Sequence, residues 1–103
     1  MKTLVMVFAQ IKPNSGDAFE AAFREVSRTV RGTDGHLDDR LVRDADDPDR
    51  YVLIGEWEST EKFLAWEDAP VHRETTVPMR QFWAGPVQRQ IYETAVAEVR
   101  GDG

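Results

Sequence analysis

The sequence contains no cysteine among its 103 residues. This absence excludes disulfides, a thiolate nucleophile and cysteine-ligated zinc or iron–sulfur sites. Basic residues are also few, with 13 Lys and Arg against 19 Asp and Glu and a formal net charge of −6. Because duplex-binding proteins need a basic surface to displace counterions, nucleic acid is not an expected partner.

Long hydrophobic runs are absent as well. The first apolar run extends from Thr3 to Ala9 and is interrupted by Gln10, Lys12 and Pro13, with no small-residue cleavage site after it. It falls short of both a secretory signal and the ~18 apolar residues of a membrane span. We therefore expect no membrane partner and a cytoplasmic location, and the length fits a single domain.

Several chemical signatures are missing. The chain has no glycine-rich phosphate loop, nucleophile elbow, metalloprotease motif or dinucleotide-binding fingerprint. The acidic segment Asp44–Asp49 lacks the ligand spacing, central glycine and terminal glutamate of an EF-hand and is interpreted as a solvated turn. We expect no metal and no cofactor, so an oxidative enzyme would need electrons from another source.

The first predicted strand is apolar at odd and even positions, which is typical of a strand buried on both faces. One face carries Val5, Val7, Ala9 and Ile11, and the other carries Leu4, Met6 and Phe8. In a chain of this size, its own helices can cover only one of these faces. The other face predicts pairing with a second copy of the chain.

The remaining elements follow from periodicity and capping. Ser15 or Asp17 caps a predicted helix to about Arg31, whose apolar stripe has helical spacing and consists of Phe19, Phe23, Val26 and Val30. Strands are predicted over 36–43 and 51–57, and Ser59 caps a second helix that extends to Asp68. Pro70 begins a further helical turn, which Pro78 is expected to stop, and a last strand covers 87–96.

This βαββαβ order predicts an α+β, ferredoxin-like fold with a four-stranded antiparallel sheet and helices on one face. Residues 1–97 are predicted to form one domain, followed by a polar tail over 98–103. Since the other sheet face has no cover, we expect a homodimer that closes an α+β barrel.

Two histidines are the candidates for proton transfer near neutral pH. The period of two places His36 on one strand face with Asp38 and Arg40, either as a small polar relay or as a solvated hairpin edge. His72 lies in a segment that is dense in aromatic and basic residues. That segment is either a ligand site or a core with a surface histidine, and it includes Trp66, Arg73, Met79, Arg80, Phe82 and Trp83.

The sequence resembles the antibiotic biosynthesis monooxygenase domain over roughly residues 2–97. The resemblance rests on Val5–Pro13, on Gly35-His-Leu with the following Arg40-Leu-Val-Arg-Asp44, and most strongly on Glu56-Trp-Glu-Ser59 with Phe63, Trp66 and Pro70-Val-His72. It implies a dimeric α+β barrel with a pocket between sheet and helices in each subunit. Members of this family oxidise aromatic polyketides without a cofactor, degrade haem, cyclise polyketides or oxygenate small quinols and aldehydes.

The resemblance matches the family's residues only in part. Trp66 matches the tryptophan of the second helix, but Lys62 occupies the position of the asparagine found in members that oxygenate anthrones. Members that degrade haem have an asparagine and a histidine at positions occupied here by residues near Ala9 and by Thr76. Haem degradation is therefore disfavoured.

We interpret the chain as a cofactor-independent monooxygenase acting on an aromatic polyketide-type phenol or anthrone, with O₂ as co-substrate. The predicted catalytic residues are His72 as base, Trp66, Arg73 and Arg80. The predicted substrate-binding residues are Phe63, Trp83, Tyr51 and Met79. A polyketide cyclase using the same pocket, and a non-catalytic ligand-binding or assembly domain, remain alternatives.

Overall fold

The fold is described from a computed structural model, which covers residues 1–101 here. Four strands and three helices follow one another along the chain. They are β1 (Thr3–Gln10), α1 (Gly16–Val30), β2 (His36–Arg43), β3 (Arg50–Trp57), α2 (Thr60–Asp68), α3 (Pro70–Arg80) and β4 (Gln88–Glu93). No helix in residues 1–101 is long and apolar enough to cross a membrane.

The strands form one antiparallel sheet in the order β2-β3-β1-β4. The central strand β1 pairs with β3 from Thr3↔Trp57 to Gln10↔Arg50, and with β4 from Thr3↔Glu93 to Phe8↔Gln88. The crossing connections carry the helices, as in a ferredoxin-like fold. The predicted α+β class and strand arrangement are confirmed.

The two faces of β1 differ in burial, as the alternating pattern of the strand predicts. Val5, Ala9 and the following Ile11 are buried against the helices. On the opposite face, Leu4 and Met6 are half-buried and Phe8 is exposed. This second face has no covering helix among the described residues, which leaves a strip of apolar side chains at its centre.

The core lies between the helical layer and the covered sheet face. Helix α1 contributes Phe19, Val26 and Val30 to this core. These three of the four residues in the predicted apolar stripe are buried. From β3, Tyr51 and Trp57 join them, and α2 and α3 add Phe63 and Met79. At the start of α2, Ser59 Oγ accepts a hydrogen bond from the Lys62 amide at 3.2 Å, which is the predicted cap.

Two predicted boundaries are wrong. Helix α3 continues through Pro78 to Arg80 although proline cannot donate to the carbonyl one turn earlier. Met79, which is buried in the core, holds this last turn in place. Strand β4 ends at Glu93 instead of Val96, because its pairing with β1 ends where β1 begins at Thr3.

The predicted polar tail falls partly outside the described residues. Residues 98–101 contain no helix or strand, and residues 102–103 lie beyond the described range. The domain boundary at residue 97 stays a prediction.

Candidate functional site

A cavity of about 230 Å³ lies between the covered sheet face and the three helices. Its wall is mainly apolar, with side chains from strands β1 and β3 and from helices α1, α2 and α3. The apolar and aromatic lining residues are Val5, Val7, Phe23, Val26, Val30, Leu53, Trp57, Phe63, Trp66, Met79, Trp83 and Val87. Such a wall suits a flat hydrocarbon surface more than a charged ligand.

Aromatic rings form one side of this cavity. The ring centroid of Trp57 lies 5.6 Å from that of Phe63 and 5.4 Å from that of Trp66. The Phe63 and Trp66 centroids are 6.3 Å apart. These separations are typical of favourable aromatic packing, so the rings support one another as a rigid wall. All three tryptophans of the chain, including Trp83, line the cavity.

His72 lies in the first turn of α3 and lines the cavity. Its ring packs edge-on against Trp66, with centroids 4.5 Å apart and an interplanar angle of 85°. Burial lowers the pKa of His72 below its usual value of 6.5, the charge of Glu67 opposes this shift, and the charges of Arg80 and Arg73 add to it. A lowered pKa keeps the imidazole neutral at pH 7 and able to accept a proton.

Arg80 and Thr76 lie on the same helix as His72 and also line the cavity. The Arg80 Nε donates to Thr76 Oγ1 at 3.1 Å, and the guanidinium lies 5.4 Å from the Trp83 ring centroid. The Thr76 hydroxyl donates to the His72 carbonyl at 3.1 Å. These contacts hold a cation at the cavity on the same helix as His72, and none of the ion pairs among residues 1–101 places a carboxylate on Arg80.

An ion pair completes this end of the cavity and was missed by the sequence prediction. Arg89 Nε of β4 lies 2.8 Å from Glu67 Oε2 of α2 in an ion pair, and both residues line the cavity. The Arg89 guanidinium also lies 5.8 Å from the Phe63 ring centroid. Strand alternation could have indicated this position for Arg89. It places Arg89 on the same face of β4 as the apolar Ile91, which is the face that the helices cover.

A second polar group lies where β2 meets α1. Ser27 and Asp39 line the cavity there, and Ser27 Oγ donates to Asp39 Oδ2 at 2.7 Å. His36 Nε2 lies 3.0 Å from Asp39 Oδ1, a close contact that lacks the alignment of a hydrogen bond. The His36 ring packs edge-on against Trp57 at 5.1 Å.

The prediction that His36 shares a strand face with Asp38 and Arg40 is wrong. A register shift in β2 between His36 and Asp38 changes the alternation, so that Asp39 faces the helices with His36. Such a bulge inserts an extra residue and reverses which side chains point to each face. Asp38 and Arg40 are exposed and 3.6 Å apart.

Two of the predicted site residues lie elsewhere. Tyr51 is buried at the other end of β3, where its hydroxyl donates to Glu20 Oε2 at 2.7 Å and its ring packs against Phe19. Arg73 is exposed and lines only a shallow surface depression beside His72. Neither belongs to the lining of the cavity, so both assignments are corrected.

The other predicted residues come together around the cavity, namely Phe63, Trp66, His72, Met79, Arg80 and Trp83. Lys62 does not join them, because its ammonium contacts Glu58 at 2.8 Å and Asp34 at 3.2 Å. Both carboxylates raise the pKa of Lys62 above its usual value. The position that carries asparagine in anthrone-oxygenating members is therefore directed to the surface here. In residues 1–101, no three His, Asp or Glu side chains form a metal-binding group.

The family model for antibiotic biosynthesis monooxygenases matches residues 3–76. The chain belongs to this family. Curated relatives include Protein SchA of Streptomyces halstedii, 31% identical over 62% of this chain and 17% of that protein. Another is the mycobilin-producing heme oxygenase of Mycobacterium tuberculosis, 30% identical over 59% of this chain and 58% of that protein. The chain spans under a fifth of the length of SchA. It also spans under a fifth of another curated relative, the 42.8 kDa protein in the whiE locus of Streptomyces coelicolor.

Solved structures share the fold at low sequence identity. One from Bordetella bronchiseptica, described as an antibiotic biosynthesis monooxygenase, superposes with a TM-score of 0.83 at 18% identity, covering 92% of this chain and 98% of that one. SnoaB of Streptomyces nogalater, a cofactor-independent oxygenase, superposes with a TM-score of 0.76 at 18% identity, covering 93% of this chain and 94% of that one. At these identities the likeness establishes the fold.

Proposed function

We propose that the chain is a cofactor-independent monooxygenase whose cavity binds a planar phenol or anthrone of the aromatic polyketide type. The observation that carries this proposal is the position of His72 at the wall of an aromatic cavity, edge-on against Trp66, where burial lowers the pKa of the imidazole. A volume near 230 Å³ is below the range of about 300–1,000 Å³ that is typical of ligand sites. It favours a compact ligand of two or three fused rings.

In the proposed reaction, His72 removes a proton from the acidic carbon or hydroxyl of the bound substrate. The resulting anion is electron-rich and transfers one electron to O₂, after which the two radicals combine into a peroxide. The peroxide anion takes back the proton held by His72. The O–O bond of the hydroperoxide then breaks, its OH group leaves with the remaining C–H proton as one water, and the substrate methylene becomes a carbonyl. The sum for anthrone is anthrone plus O₂ giving anthraquinone plus water, so the substrate supplies all the electrons.

The surrounding charges favour the anion. Arg80 lies on the same helix as His72, and no carboxylate of residues 1–101 lies within ion-pair distance of it. Arg80 is exposed to solvent on one side, and on the cavity side the mainly apolar wall screens its charge less than water would. Arg89 contributes less, because Glu67 already neutralises it at 2.8 Å.

Oxygen uptake with anthrone tests this proposal. His72→Gln removes the base and is expected to lower kcat/KM by about 10²-fold or more, whereas Glu74→Gln, an exposed change on the same helix, should leave it unchanged. Anthraquinone should form with one O₂ consumed per product and without added metal or flavin. Full turnover by His72→Gln with an unchanged pH profile would refute the assignment of the base.

A polyketide cyclase would use the same base to form an enolate for aldol closure. The lowered pKa of His72 and the cavity serve both reactions equally. Oxygen separates the two functions, since product formed from a poly-β-ketone under strict anaerobiosis supports the cyclase. A binding or assembly domain is the third candidate, and it is supported if planar phenols quench tryptophan fluorescence but no member of a polyketide panel is converted.

Haem is not the ligand that the residues favour. The two positions that carry asparagine and histidine in haem-degrading members correspond to the region of Ala9 and to Thr76. Ala9 is a buried methyl group, and the Thr76 hydroxyl is engaged by the His72 carbonyl and Arg80. Neither supplies a nitrogen ligand for iron.

The proposed assembly is a homodimer paired through the open sheet face. Along its centre, this face carries a cross-strand band of Val42, Val52 and Phe8, next to a band of Ile54 and Met6. Phe8 and Val42 are both more than a third exposed. A second copy placed face to face would bury these bands on both copies and close a barrel. Light scattering at micromolar concentration should give twice the chain mass, and a folded monomer under these conditions would contradict the dimer.

A further inference from the structure

The cavity has a second polar wall that the proposed reaction does not use. It consists of Asp39 and Ser27, with His36 behind them, and it lies where β2 meets α1. The candidate base and its cation lie on α3 and belong to a different part of the lining. The question is why a carboxylate occupies a mainly apolar wall.

Asp39 is deeply buried for a charged side chain, with 12% of its side chain exposed. A buried carboxylate is unfavourable unless hydrogen bonds replace the water that it loses. Its two oxygens can accept about four hydrogen bonds, and the structure provides one aligned donor, the Ser27 hydroxyl at 2.7 Å. The His36 contact at 3.0 Å lacks hydrogen-bond alignment. Asp39 therefore keeps unused acceptor capacity at the cavity wall.

The backbone beside Asp39 leaves room for a ligand atom. Gly55 of β3 lines the cavity next to the carboxylate, and a Cβ at this position would lie 3.4 Å from Asp39 Oδ1 and 3.4 Å from Trp57 Nε1. Any larger side chain would fill the space over the carboxylate. The bulge in β2 has a matching effect, because it turns Asp39 toward the cavity in place of Asp38.

We propose that Asp39, positioned by the Ser27 hydroxyl, accepts a hydrogen bond from a hydroxyl group on the far ring of the substrate. The inference rests on the proposed function and narrows its substrate class. The ligand is a fused-ring phenol with a second hydroxyl, one directed to His72 and one to Asp39. Asp39 is thus a specificity-determining residue that selects polyhydroxylated rings.

The test compares the affinity for 2,6-dihydroxynaphthalene with that for 2-naphthol, measured by quenching of tryptophan fluorescence. All three tryptophans line the cavity, so the signal reports occupancy directly. The second hydroxyl makes the diol the better hydrated ligand, and a purely apolar wall would therefore prefer 2-naphthol. A preference for the diol requires a polar partner at the far end.

We expect the native chain to bind the diol about 10-fold more tightly than 2-naphthol, the size of a hydrogen bond to a charged acceptor. Asp39→Asn keeps the shape and removes the charge, so the preference should fall to about 3-fold or less. Asp39→Leu provides a second variant without any acceptor, and it should reverse the preference. Asp46→Asn, the same change on an exposed loop carboxylate, should keep the native preference.

Two results would overturn the inference. The first is a native chain that binds both ligands equally or prefers 2-naphthol. The second is an Asp39→Asn variant with native melting temperature and an unchanged preference for the diol. Either result leaves oxygen uptake with anthrone intact, so it contradicts the role of Asp39 alone. If neither naphthol binds, both this inference and the proposed phenol site fail.

Discussion

Removing the hydroxyl of Tyr51 distinguishes a structural role of this residue from a role in ligand binding. Tyr51 is 2% exposed, its hydroxyl donates to Glu20 Oε2 at 2.7 Å, and its ring centroid lies 5.1 Å from that of Phe19. Tyr51→Phe keeps the ring and its packing and removes this hydrogen bond. We expect lower stability and unchanged affinity for naphthols, because Tyr51 does not line the cavity.

The size of the effect follows from the contact. A hydrogen bond to a charged group contributes about 1.5–3 kcal/mol. Glu20 is only half-buried, so water can solvate its carboxylate in the variant, and the lower end of this range applies. At about 4–8 °C per kcal/mol for a domain of this size, a loss of about 1.5 kcal/mol lowers the melting temperature by about 6–12 °C.

The pH dependence gives a second readout. Burial, followed by the hydrogen bond and the charge of Glu20, raises the pKa of Tyr51 above its usual value of 10.0. The folded pKa then exceeds the unfolded one, so this stabilisation is complete below about pH 10 and decreases as the pH rises through the folded pKa. The difference in stability between the native chain and Tyr51→Phe should therefore decrease above pH 10.

Differential scanning fluorimetry and naphthol titrations provide the measurements. Tyr92→Phe is the matched control, because Tyr92 is half exposed on the open face. This substitution should change the melting temperature by under about 2 °C. In Tyr92→Phe, Tyr51 is the only remaining tyrosine, and its ionisation can be followed by absorbance. A Tyr51→Phe variant with native stability and weakened naphthol binding would refute this reasoning and return Tyr51 to the binding site.

Three further predictions concern stability, each measured by urea unfolding. Gly35→Ala should destabilise the chain more than Gly32→Ala, since both have positive φ but only a Cβ at Gly35 would lie 2.6 Å from Lys62; equal losses would contradict this. Ser59→Ala should cost about 1 kcal/mol through loss of the α2 cap, and no loss would show that the cap is dispensable. The pKa of His72 is lowered in the folded chain, so stability should fall as pH decreases below about 6.5, and His72→Gln should weaken that dependence.

Much of the fold could be predicted from periodicity. The apolar residues on both faces of β1 predicted a covered and an open side. The i, i+4, i+7, i+11 stripe of α1 contains the three residues of this helix that are buried, whereas its fourth member, Phe23, is half-buried. These patterns are reliable because each element must bury its apolar face against another layer. The α2 cap at Ser59 was likewise visible in the sequence.

The errors arise where one residue changes the geometry. Strand alternation placed Asp38 with His36, but the bulge exchanges Asp38 for Asp39, and nothing in the pattern His36–Arg43 marks the extra residue. Proline predicted the end of α3 at Pro78, yet burial of Met79 outweighs the lost hydrogen bond. Tyr51 was assigned to the ligand because an aromatic side chain gives no sign of its partner, and here Glu20 of a distant helix provides it.

The two polar walls of the cavity carry charges of opposite sign, and this difference fixes how a substrate would lie under the proposed function. At the α3 wall, Arg80 stabilises the anion that forms when His72 takes a proton. At the other wall, Asp39 would repel the same anion but accepts a hydrogen bond from a neutral hydroxyl. A substrate bound with its acidic position toward Asp39 would form its anion beside a carboxylate and away from Arg80. The acidic position of the substrate is therefore directed to His72 by electrostatics, even though the aromatic wall between the two ends treats both orientations alike.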